Sequence, residues 1–138
     1  MTSSAAAVTM GVLLVLFVGR VVGQMLAATI APSWLPPMAR WYSGLMAYRY
    51  LLPVQIVFIA VMVAMIVDVA SGTGALGTRN PTVGRWIVWA SYVYALGMAV
   101  RTVRYVTAPP EKRGVVIPIV FHFVLAAFLY VYGRALSS

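Results

Sequence analysis

Of 138 residues, 63% are hydrophobic and only 9% are charged, far below the roughly 25% charged residues of an ordinary soluble domain. The apolar residues fall in long runs, such as 8–19 and 51–67, which marks an integral membrane chain with room for about four spanning helices and none for a soluble domain. The net charge of +8 collects at span ends and in short connections, so it points to anionic lipid headgroups and away from nucleic acid; the lack of cysteine excludes thiol chemistry and Cys-ligated metals within the chain.

The pattern predicts an all-α bundle of four transmembrane helices, a single transmembrane domain over residues 1–138. Residues 1–9 lack the basic region of a signal peptide, and the first apolar run is too long for one, so it reads as a retained span over about 5–28. Gly19 and Gly23 form a GxxxG around Arg20, a spacing that can mark a close helix contact. Arg20 lies roughly 22 Å along the span, where a long side chain snorkels to headgroups.

Residues 30–44 form the first loop, where Pro32, Pro36 and Pro37 prevent a continuous helix. Trp34, Leu35, Met38, Trp41 and Tyr42 beside Arg40 are too apolar for free solvation. This Trp/Pro-rich loop is expected at the interface, lying on the surface or dipping in as a cap over the bundle. Span two covers about 45–70. Pro53 should kink it, and the carbonyl freed near Arg49 is positioned to accept a hydrogen bond from Gln55 or a water.

Residues 71–84 are a Gly/Ser/Thr-rich turn. Span three covers about 85–106, and 107–113 is a turn containing Pro109 and Pro110. Span four covers about 114–136. The short second and third connections predict spans two, three and four as antiparallel neighbours. Gly11, Gly19, Gly23, Ala90, Gly97 and Ala126 are the expected close-approach points. Arg20, Arg40, Arg49, Arg101, Arg104, Lys112 and Arg113 fall on the side of loops one and three, against Arg79, Arg85 and Arg134 on the other. This excess predicts both termini outside the cytoplasm of a bacterial inner membrane.

Ionisable groups inside spans are functional-site hypotheses by default. Asp68, at the end of span two, is expected to form a structural ion pair with Arg85 and Arg134. His122, the only histidine, lies roughly 12 Å into span four. Its expected partner is Tyr92, Tyr94, Ser91 or a backbone carbonyl. One histidine can also be the axial ligand of a haem or pigment, or donate to a quinone, though the pattern demands no cofactor. With two acids and no cysteine, no metal site is legible, and no catalytic constellation is either. A lipid or ligand pocket is expected between the first loop and spans two and three, lined by Trp41, Tyr42, Tyr48 and Arg49.

The segment Trp34-Leu35-Pro36-Pro37-Met38, followed by Trp41-Tyr42-Ser43-Gly44-Leu45, Leu51-Leu52-Pro53 and Gln55, resembles small bacterial multi-span membrane proteins without an assigned function. The resemblance implies no activity and no site residue. The leading expectation is an accessory or structural small subunit of a larger membrane complex, partnered by the bilayer and by larger subunits or copies of itself. The first alternative is a binding protein for a lipophilic ligand (quinone, pigment, haem or lipid) near His122 or the first loop. The second is a transporter subunit or integral-membrane enzyme in which Arg20, Arg49 or Asp68 lines a wet path.

Overall fold

The computed structural model describes residues 2–41, 47–72, 80–112 and 115–137. Among them the protein is all-helical, with four helices long and apolar enough to cross a membrane. These are α1 (Ser3–Thr29), α3 (Tyr48–Ser71), α4 (Pro81–Thr107) and α5 (Val116–Ser137); the short α2 (Met38–Trp41) lies in the first loop. Each of the four helices overlaps the corresponding apolar run, with ends a few residues from the expected bounds.

The helix ends carry their own sequence signals. The Thr2 hydroxyl accepts from the Ala5 amide at 3.1 Å, and the Asn80 side chain accepts from Val83 at 3.2 Å with Pro81 following it. Helix α3 stops at Gly72, whose φ of +70° is left-handed and whose amide returns to the Asp68 carbonyl. The helix runs through Pro53.

The apolar core is built by α1, α3 and α5. Ala6, Met10, Phe17 and Val21 meet Met62, Met65 and Val69, with Phe128, Val131, Tyr132 and Leu136 between them. The buried residues of α1 recur three, four or seven apart, which draws one stripe along the helix. Outside that stripe Val8, Val15, Val22, Val57 and Val67 are exposed, as contact with hydrocarbon requires.

Helix α4 stands apart from this core. It packs along α5 and makes no close approach to α3. The expectation that spans two, three and four are consecutive neighbours therefore fails between spans two and three. The physical reason lies in one seam. Gly84 and Gly133 bring the α4 and α5 backbones so close that a Cβ on Gly84 would lie 2.7 Å from the Gly133 carbonyl oxygen. Meanwhile α1 packs against both α3 and α5. Of the expected close-approach residues, Ala126 is buried and Gly23 receives a tryptophan ring, whereas Gly11, Gly19 and Gly97 face open space and Ala90 is exposed.

Candidate functional site

The interior polar groups divide between two ends of the bundle. Toward the first and third loops lie Arg20, Gln24, Gln55 and His122; toward the termini lies Asp68. Helical spacing explains the inward direction of most of them. Phe17, Arg20, Gln24 and Ala27 share the α1 stripe, and Gln55, Met62, Met65 and Asp68 share that of α3. Arg20 therefore does not snorkel: it is 9% exposed, about 14 Å from the end of its helix.

The first loop reaches Arg20 from above. The Trp41 indole lies on Gly23, where a Cβ would approach the ring to 2.5 Å. Only glycine leaves room for the ring, so the GxxxG contributes a socket for Trp41. Trp41 Nε1 donates to the Pro36 carbonyl at 3.0 Å, which holds the short α2 turn against its own loop. Arg20 Nη2 donates to the Trp41 carbonyl at 3.3 Å, and the guanidinium stands 5.8 Å from the Phe121 ring centroid. Arg20 Nε is buried without a partner.

Gln24 is completely buried, and Gln55 nearly so. Gln55 Nε2 donates to Gln24 Oε1 at 3.1 Å, tying α3 to α1 through side chains. This replaces the expected bond from Gln55 to the carbonyl freed by Pro53. The pair leaves Gln24 Nε2 and Gln55 Oε1 unsatisfied. His122 Nδ1 and the Tyr94 hydroxyl share a hydrogen bond, and the rings meet edge to face at 5.7 Å. Tyr94 was among the expected partners; Tyr92 instead contacts Trp89 and Tyr130, and the Ser91 hydroxyl donates to the Val88 carbonyl.

A cavity of about 110 Å³ lies at the centre of this group, lined by Phe17, Arg20, Trp41, Gln55, Phe121 and His122 among others. It opens between α1, α3 and α5 beneath α2, whereas the expected pocket lay between the first loop and spans two and three. The difference follows from the displaced α4. Of the four residues expected to line it, Trp41 does. Tyr48 buries its hydroxyl without a partner, and Arg49 is exposed with its guanidinium 4.8 Å from the Tyr50 ring. Tyr42 lies outside the described residues.

A second, almost wholly apolar cavity of about 370 Å³ lies between α3 and α4 with α5 at its floor. Phe58 and Leu125 line both cavities. Tyr94 lines the second and bonds to His122, which lines the first. The two spaces are thus adjacent, one polar and one apolar.

At the other end, Asp68 is 3% exposed and its Oδ2 accepts from the Tyr132 hydroxyl at 3.1 Å. Arg85 and Arg134 are at the same end but exposed, and among the described residues neither forms an ion pair with Asp68. The carboxylate points into the core stripe, which the two arginines, one residue from Gly84 and Gly133, do not share. No group of residues suited to hold a metal occurs among the described residues.

Sequence reasoning named Arg20 and His122 but missed the Gln24–Gln55 pair and the Gly84–Gly133 seam. The signal for Gln24 was present: it lies four residues after Arg20, hence on the same helix face. No known protein family, characterised protein or solved structure matches this chain.

Proposed function

We infer that this protein binds an amphipathic ligand inside the membrane, in the cavity beneath Trp41. The observation that carries this reading is the convergence of Arg20, Gln55, His122 and Trp41 on one cavity, with Arg20 Nε and Gln55 Oε1 enclosed and without a partner among the described residues. Buried polar groups ordinarily find partners, and a cluster that does not is a place for a water or a ligand. A ligand with a polar head and an apolar body supplies both kinds of contact, since Phe17, Phe58 and Leu125 complete the wall.

The volume favours a head group over a macrocycle, because sites for drug-sized ligands run to about 300 Å³ or more. An accessory role in a larger complex would draw on the outer face of α4, where Trp86, Trp89, Val93 and Leu96 are exposed. That face is equally what bare lipid requires, so it selects no partner. The ligand reading is tested by purifying the protein in mild detergent, extracting it and identifying retained amphiphiles by mass spectrometry. The expected result is a near-stoichiometric amphiphile, depleted in Val54→Trp, which fills the cavity wall while circular dichroism still reports a helical protein. Equal retention in Val54→Trp, or no retention and no binding of added amphiphiles, overturns the reading.

A further inference from the structure

We propose that the ligand is a single-chain anionic amphiphile, with its oxyanion head on Arg20 and its chain in the apolar cavity between α3 and α4. This deepens the reading above and rests on it. Two observations carry it: a buried cation without a counter-charge, and the adjacency of the two cavities.

The sequence contains only two acidic residues, Asp68 and Glu111. Asp68 sits roughly 14 Å farther along the bundle than the level of Arg20, counted from the Gln24–Gln55 pair, and its Oδ2 is engaged by Tyr132. Glu111 is exposed in the turn Pro110–Lys112 that precedes α5. Neither neutralises Arg20, whose hydrogen-bond partner among the described residues is one neutral carbonyl. An isolated guanidinium at this depth is costly, and an oxyanion in the cavity that Arg20 lines would answer it with a charge-assisted hydrogen bond. Two neighbours can add donors. The Gln24–Gln55 bond survives rotation of both amides, which exchanges the free acceptor of Gln55 for a free N–H. When Tyr94 donates to His122 Nδ1, the imidazole carries its proton on Nε2.

The geometry also restricts the rest of the ligand. Trp41 covers the cavity on the loop side, so the head is taken to reach Arg20 laterally. Here α3 and α5 pack less extensively on each other than either does on α1. Past the shared wall of Phe58 and Leu125, the apolar cavity continues between Met62, Met65, Tyr94 and Phe128. One chain follows that path. Carboxylate and phosphate monoester heads share the required chemistry.

The test is photo-crosslinking of delipidated, detergent-solubilised protein with a palmitate bearing a mid-chain diazirine, with the labelled residues mapped by mass spectrometry. Labelling is expected on the α3 and α5 segments around Met62 and Phe128. Palmitate or lysophosphatidate should compete at least tenfold better than hexadecanol, and the stronger of the two identifies the head. The preference should vanish in Arg20→Gln and persist in Arg20→Lys, whose retained labelling shows that the fold tolerates change at this position. Competition by hexadecanol equal to that of palmitate overturns the anionic head while leaving an amphiphile site in place. Competition by inorganic phosphate as strong as by lysophosphatidate overturns the chain cavity. Absence of specific labelling in these segments, with no displacement by any amphiphile, overturns both this proposal and the reading beneath it.

Discussion

The two ends of the bundle each bury a charged side chain with one atom left unpartnered, Asp68 Oδ1 at one and Arg20 Nε at the other, and they differ in what lies beside it. Near the termini, Asp68 meets Tyr132 within the packed core, beside the Gly84–Gly133 seam where backbones nearly touch. Near the first and third loops, Arg20 meets a backbone carbonyl and a cavity. Polar side chains join helices at both ends; only the loop end sets its charge in the wall of a cavity. Burial of a charge alone therefore does not identify a site. On the reading proposed above, a charge buried beside unfilled volume is the one to test for a ligand.

The contrast can be broken first at the seam. Gly84→Leu would drive a side chain into the α5 backbone, which cannot yield as a flexible side chain does, and should cost about 3 kcal/mol. Thermal unfolding in detergent, followed by intrinsic fluorescence, should show the largest loss of stability among the variants described here. A wild-type melting profile would mean that α4 is not held by this contact.

Ligand saturation probes the opposite end. Palmitate at a hundredfold excess over its dissociation constant should stabilise the delipidated protein by about 2.7 kcal/mol, as expected when a ligand binds only the folded state. Tyr132→Phe, at the terminal end, should retain that gain, and Arg20→Gln should lose most of it. Equal gains in both variants would erase the functional difference between the ends.

Tyr132→Phe itself should cost about 1–2 kcal/mol, because it leaves Asp68 buried without its hydroxyl partner. Chemical denaturation of the variant and of Asp68→Asn would check this, since an amide can still accept from Tyr132. The smallest effect is expected at Gly19. A side chain there meets nothing within 4 Å, so Gly19→Leu should stay within about 0.5 kcal/mol of wild type. Gly23→Leu should displace Trp41 and expose the first loop to limited proteolysis. Identical proteolysis of the two variants would show that Trp41 does not hold the loop.

Much of this architecture was readable in advance, and the exceptions have specific causes. The four spans follow from the length of each apolar run. The His122–Tyr94 bond was among the predicted pairings because both residues sit well inside spans joined by a short turn. Arg20 was misplaced as a snorkelling residue because distance along the helix was considered without its face; its spacing from Phe17 and Gln24 already put it inside. The Asp68 partner was mistaken for an arginine because charge matching was applied without knowing that Arg85 and Arg134 flank the seam on its exposed side. The cavity that Trp41 lines opens between α1, α3 and α5, not between the first loop and spans two and three.

By itself, the sequence determined four helices long and apolar enough to cross a membrane, and the scarcity of acids around Arg20. These are local or compositional properties, set by hydropathy and counting. Only the tertiary structure decided that α1, α3 and α5 form the core, that α4 lies to one side, and that Trp41 closes over Arg20 next to an apolar cavity. Those outcomes depend on which helix faces come close enough to pack, as at Gly23 and Gly84, and residues distant in the chain supply both sides of each contact.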